Sequence, residues 1–123
     1  MHVLTDNQGR PLNGTNSFGE PITYAVTRFR NDGTLALMAV YVDSQGEEQF
    51  YPLSTNLAEY GYYPMPSHTF VTSTYKAVIQ PLINQEYLRV EGTVEYGTFN
   101  TVALDVMILM SDIEHLADNN GSE

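Results

Sequence analysis

Apolar positions in this chain fall into short alternating or continuous runs, separated by clusters of Gly, Asn and Asp, which is a texture of strands more than of helices. Ile22–Phe29 alternates and is rich in β-branched and aromatic residues, so it reads as a strand. Asn31-Asp32-Gly33 follows as a hairpin signal, because Asp-Gly supplies the positive φ angles of a tight turn. Leu35–Val42 is a nearly unbroken apolar run, the pattern of a strand at the centre of a sheet, and Asp43-Ser44-Gln45-Gly46 turns the chain into a third strand over Gln49–Leu57. Two successive hairpins make an antiparallel meander. Ala58–Ser67 reads as an aromatic loop, and Thr69–Tyr75 as another strand.

Lys76–Glu86 carries Val78, Ile79, Leu82 and Ile83 as a helical stripe. Pro81 lies within it, so the helix either starts near Gln80 or kinks there. Tyr87–Tyr96 and Thr98–Met110 read as two strands joined near Gly97, and Ser111-Asp112-Ile113-Glu114 has the spacing of a capping box that opens a short helix ending by Asn119-Asn120-Gly121. The expected class is α+β: a mostly antiparallel sheet of five to six strands, one packed helix and a short C-terminal helix.

Residues 5–21 are dominated by Asn, Gly, Pro, Asp and Ser, so residues 1–21 are expected to be a polar N-terminal arm or loop, residues 22–119 one α+β domain, and residues 120–123 a tail. A chain of 123 residues suits one domain with a self-sufficient core. It has no cysteine, which removes disulfides and thiolate chemistry and fits a reducing compartment. The longest apolar run, Val102–Met110, is interrupted by Asp105 and falls far short of the ~20 residues of a membrane span. Met1-His2-Val3-Leu4 leads directly into polar sequence without the look of a signal peptide, so a cytoplasmic protein of a bacterial host cell is expected. Asn13-Gly14-Thr15 and Asn120-Gly121-Ser122 are then simply turn and tail residues.

Charge sharpens the picture. Fifteen carboxylates face five basic side chains, for a formal net charge of −10. The imbalance is segregated: residues 1–30 sum to +1, and residues 31–123 to −11, with Lys76 and Arg89 their only cations. Such a field repels nucleic acid and anionic membrane and draws basic protein surfaces at long range.

No catalytic constellation accompanies it. His2, His68 and His115 are far apart, and His115 with Asp112 or Glu114 is a thin ligand set, so no metal or cofactor is expected. Ser67-His68 lacks a Gly-x-Ser-x-Gly context, and each glycine is isolated at a turn and builds no phosphate loop. A non-enzymatic role is expected. The candidate partner-binding residues are Glu47 and Glu48 in the second hairpin, Glu59 beside Tyr60, Tyr62 and Tyr63, and Glu91, Glu95 and Asp105 along the later strands. Tyrosine suits interface anchoring because it joins a large apolar face to a polar tip, although Tyr62 or Tyr63 could equally close the end of the core. Glu91 and Glu95, four apart, share a face if their strand is regular. Acids in such rows could imitate the phosphate spacing of nucleic acid, or could serve only solubility.

Leu35-Ala36, Asp43 with Gly46, Leu53-Ser54-Thr55-Asn56-Leu57, Phe70-Val71, Leu82, and Gly92-Thr93-Val94 with Gly97 together resemble an uncharacterised domain-of-unknown-function family of small acidic proteins from plasmids, phages and integrative elements. The resemblance runs from Leu35 to about Ile108 and implies no catalytic residues. It implies the company of mobile elements, which commonly carry small acidic proteins that blunt host defence. The leading expectation is therefore an anti-CRISPR or anti-restriction inhibitor that mimics nucleic acid on a basic protein surface, a nuclease or a guide-RNA complex, without binding nucleic acid or membrane itself. The alternatives are a small-ligand-binding or sequestering module with its pocket under the aromatic loop 58–68, and a phage structural or assembly protein, with self-association into a homodimer left open.

Overall fold

The computed structural model describes residues 1–118. The end of the C-terminal helix at Asn119 and the tail over residues 120–123 lie outside the described residues. In chain order the elements are β1 (His2–Val3), β2 (Asn13–Thr15), β3 (Pro21–Arg28), β4 (Leu35–Val42), β5 (Glu48–Pro52), β6 (His68–Thr72), α1 (Lys76–Asn84), β7 (Leu88–Tyr96), β8 (Thr101–Ile108) and α2 (Ile113–Asp118). The fold is α+β, with antiparallel sheets, one main helix and a short C-terminal helix.

The strands form two sheets where one was expected. The first runs β1-β3-β4-β5, with β2 also paired to β3, and the second runs β6-β8-β7. The expected strand over Gln49–Leu57 is where they separate. β5 ends at Pro52, and the chain then bends so that Leu53 and Ser54 bond the Leu37 carbonyl while Thr55 bonds Phe70 on β6. One strand-like segment thus serves both sheets, which alternation alone cannot reveal.

Period-two registers place Ile22, Tyr24 and Val26 of β3 beside Leu35, Leu37 and Ala39 of β4, all facing inward. Leu104, Val106 and Ile108 of β8 face them, and Val78, Ile79 and Leu82 of α1 close the same core. Helix α1 starts at Lys76, earlier than Gln80, and carries Pro81 in its interior, where the ring cannot bond the Ala77 carbonyl. Tertiary burial of the stripe outweighs that loss. At the other end, Glu114 does not close a capping box. Its carboxylate accepts the Ser67 backbone N–H and an Arg28 N–H, while Arg28 also donates to Asp118 and to the carbonyls of Gly33 and Glu114, fastening α2 to β3.

Residues 1–21 are not an arm. β1 and β2 line one edge of β3, and Leu4 and Leu12 are buried in the main core. The polar texture belongs to two tight turns. Asp6 Oδ1 accepts the N–H groups of Gln8 and Arg10, Asn16 Oδ1 accepts those of Phe18 and Glu20, and Gly9 and Gly19 both adopt φ +79°. Asp43 repeats the arrangement with Gln45, Glu47 and Gly46. A short side chain with an acceptor oxygen, followed three residues later by glycine, makes this turn.

One close approach ties the N-terminal hairpin to the core. The Tyr24 hydroxyl donates to the Val78 carbonyl of α1 at 2.6 Å and lies directly beneath Gly14, where an added Cβ would stand 2.0 Å from the hydroxyl oxygen. Gly14→Ala is expected to destabilise the fold by about 1–3 kcal/mol through overpacking, and Tyr24→Phe by about 1 kcal/mol through the lost hydrogen bond; chemical denaturation measures both. Burial, with a smaller contribution from Tyr51, lifts the Tyr24 hydroxyl from its ordinary 10.0 to about 12. Its neutral form is favoured by folding, so this stabilisation is complete below pH 10 and is lost as pH rises through about 12. Tyrosinate absorbance is expected to show one hydroxyl titrating last and together with unfolding, and Tyr24→Phe should abolish that step.

Candidate functional site

The proposed acids and tyrosines do not form one surface. Glu47 and Glu48 are exposed at the β4–β5 hairpin, at the start of β5, while Glu59 lies beyond its far end in a short 3-10 turn, Ala58–Tyr60. Glu91 and Glu95 do not share a face. Val90 pairs with Val106 but Gly92 pairs with Asp105, so β7 carries a bulge that shifts the alternation by one. Glu91 is held by Arg89 Nε and Nη2, on the side of Met107, whereas Glu95 stands opposite Val102. Asp105 is not part of an open acidic row either. Its Oδ1 lies 2.7 Å from Nδ1 of buried His68, bracing β8 against β6.

The structure does bring together the aromatic loop and the β7–β8 turn. Tyr62 packs edge-on against Phe70 at 6.4 Å, and its hydroxyl donates to the Glu95 carbonyl. With Leu57 and Ala103 it forms a small core on the outer side of the second sheet and fills the space between itself, Leu57 and Phe70, while Pro64, Met65 and Pro66 border a separate cavity of about 190 Å³. Tyr62 therefore fills space in the fold. Tyr60 packs against Tyr96 with ring centroids 5.2 Å apart and planes tilted by 52°, its hydroxyl close to Gly97. Tyr63 and Met65 are largely exposed, and Phe99, in the turn beside Gly97, is 91 % exposed. Tyr60 and the turn that carries Phe99 thus give one end of the second sheet an exposed aromatic surface with Glu59 beside Tyr60, whereas Met65 lies toward the other end, next to His68 and Glu114. Phe99 escaped the sequence reading because a lone aromatic in a turn carries no periodic signal.

The surface is short of positive charge. Among the described residues Arg10 pairs with Asp6, Arg28 with Glu114 and Asp118, and Arg89 with Glu91, so three of the five basic side chains are already engaged by carboxylates. Glu47, Glu48, Glu59 and Glu95 are exposed.

A second aromatic group was not foreseen. Tyr41 on β4, Tyr51 on β5 and Tyr75 just before α1 meet at the open end of the main core, with ring centroids 6.0 Å apart in each successive pair. Their separation of ten and twenty-four residues hides them in the sequence, where attention falls on the adjacent tyrosines 60, 62 and 63.

Compared with known proteins, the chain matches no family model, no curated protein and no solved structure. The resemblance drawn from the Leu35–Ile108 motifs therefore rests on those residues alone. No helix among the described residues is long and apolar enough to cross a membrane.

The two kinds of tyrosine in the loop separate by stability. Tyr62→Ala is expected to cost about 2–3 kcal/mol through the cavity it leaves, whereas Tyr63→Ala, at 65 % exposure, should stay within about 0.5 kcal/mol of wild type. Equal losses at both positions in urea denaturation would show that Tyr63 also belongs to the core.

Proposed function

We propose that this protein acts by binding, without catalysis, to a basic protein surface of the kind that ordinarily holds nucleic acid, and so inhibits a nucleic-acid-targeting defence system of the restriction or CRISPR type. The observation that carries the reading is the exposed aromatic end of the second sheet set in a surface whose cations are mostly neutralised within the chain. Tyr60, Tyr63 and Phe99 offer exposed apolar anchoring area, and Glu59 is exposed beside Tyr60. Carboxylates at a rim act chiefly on the rate of encounter, and buried aromatic anchors on the rate of release. The resemblance to small acidic proteins of mobile elements supports the choice of a defence system as the target.

The arrangement favours a compact patch over a long phosphate-like row. Glu47 and Glu48 lie at the other end of β5, the β7 bulge turns Glu91 away from Glu95, and Asp105 is occupied by His68. The charges at these positions contribute to steering, while contact falls on Glu59, Tyr60 and Tyr63.

The test is competition. Tagged protein captured on a host nuclease or guide-RNA complex is expected to be displaced by heparin or duplex DNA and to bind at least about tenfold more weakly when salt is raised from 0.05 to 0.5 M, as screening requires. Glu59→Lys with Tyr63→Ala is expected to abolish inhibition while leaving the far-ultraviolet circular dichroism unchanged. Inhibition that survives both the double variant and high salt would overturn the reading.

A further inference from the structure

Tyr41, Tyr51 and Tyr75 line a cavity of about 280 Å³ together with Asn16, Ser17, Phe18 and Glu20. That volume has room for a group several waters in size. Each wall has a definite origin. Tyr41 and Tyr51 point inward from neighbouring strands, Tyr51 opposite Ala39 and Tyr41 two residues further along β4, at the end where the apolar core runs out. Tyr75 reaches them from the short 3-10 turn that leads into α1. Phe18 and Glu20 are carried by the tight turn between β2 and β3, which Asn16 holds rigid by accepting two backbone N–H groups and donating from Nδ2 to the Glu20 carboxylate.

Two features of this cavity suit a ligand. Phe18, at the tip of that turn, is 87 % exposed yet lines the cavity, which an apolar ring does at a cost unless something covers it. Three half-buried tyrosines tilt against one another by 56° and 44°, presenting ring faces and edges around one space. The negative faces of aromatic rings attract cations, most strongly where water is partly excluded, and a nearby carboxylate adds to that attraction. Burial, then Tyr75, Tyr41 and the Glu20 charge, raise the Tyr51 hydroxyl above its ordinary value, which agrees with partly covered rings that have a carboxylate close by.

We propose that this cavity is an aromatic cage that binds a methylated ammonium group, the chemistry shared by a trimethyllysine side chain and a choline headgroup. Methylation matters because it makes the cation bulky and poorly hydrated, so its entry among the rings gives up little solvation. An unmodified ammonium ion gives up far more. The cage lies on the first sheet, away from the Tyr60–Phe99 surface, and its ligand binding does not depend on that surface having a protein partner.

The test uses the intact chain and small probes. Tetramethylammonium chloride is titrated against the protein by nuclear magnetic resonance, with ammonium chloride and the neutral isostere tert-butanol alongside. The expected result is saturable binding of tetramethylammonium, with its methyl signal shifted upfield by ring currents, and affinity roughly tenfold above that for either control, as a cation–π contribution implies. Glu20→Gln, an exposed position, should weaken binding about threefold and reduce its salt dependence. Tyr75→Leu should weaken it further, and Tyr51→Phe, which keeps the ring, should retain it. Trimethyllysine and choline run as separate titrations then tell which source of the group the cage prefers. Equal affinity for tert-butanol and tetramethylammonium, an absence of saturable binding, or tetramethylammonium binding unaffected by both Glu20→Gln and Tyr75→Leu would overturn the proposal.

Discussion

The fold depends on one buried chain of hydrogen bonds where the two sheets meet. The Leu37 N–H of β4 donates to Ser54 Oγ, the Ser54 hydroxyl lies 2.7 Å from Thr69 Oγ1, and the Thr69 hydroxyl donates to the Leu35 carbonyl. Since Thr69 gives its proton to Leu35, Ser54 must give its own to Thr69, and both hydroxyls of this relay are satisfied. Ser54 and Thr69 are almost fully buried, so an unpaired member would cost about 1–3 kcal/mol. The bonds also solve a geometric problem. After Pro52 the chain leaves the first sheet and joins the second, and at that corner backbone ladders alone cannot continue. Two short hydroxyl side chains bridge β4 to β6 and let one apolar core run through both sheets.

From that junction follow the positions of both candidate binding surfaces. The corner sends the chain through Leu57 into the aromatic loop, which is then laid onto Phe70 and the β7–β8 turn by Tyr62. The same corner fixes β5 beside β4, and with it the meeting of Tyr51 with Tyr41 and, through α1, with Tyr75. Rigid elements thus carry the exposed aromatic surface at one place and the tyrosine cage at another. Few of the charges around them take part in folding, and the Arg28 cluster, which secures α2, is the main exception.

The class of the fold was legible in the chain because most elements announce themselves locally. The alternation of Ile22–Phe29, the apolar run Leu35–Val42 and the stripe Val78–Ile83 each became the element their period implies. The polar composition of residues 1–21 suggests an arm, although it belongs to two tight turns between paired segments. The recurring Asp/Asn-x-x-Gly spacing at Asp6–Gly9, Asn16–Gly19 and Asp43–Gly46 was available and marks three turns of one kind. The division into two sheets was not available, since the corner at Ser54 is made by non-local hydrogen bonds between residues that look unremarkable in sequence. The site fared similarly. Tyr60, Tyr62 and Tyr63 drew attention by adjacency, yet their neighbour Phe99 and the trio Tyr41, Tyr51 and Tyr75 come together only through tertiary pairing. The face shared by Glu91 and Glu95 was lost to a bulge at Glu91-Gly92, where glycine gave a hint that periodicity cannot weigh.

The claim that the two sheets form a single cooperative frame is tested most directly by native-state hydrogen exchange at the Leu37 amide, read beside amides of β3 and β8. With the Ser54–Thr69 junction holding both sheets, the Leu37 proton is expected to exchange only through global unfolding, with the same free energy as the most protected amides of Tyr24 and Val106. Exchange of Leu37 and the β6–β8–β7 amides at a markedly lower free energy, with β3 still protected, would contradict it by showing that the second sheet opens on its own.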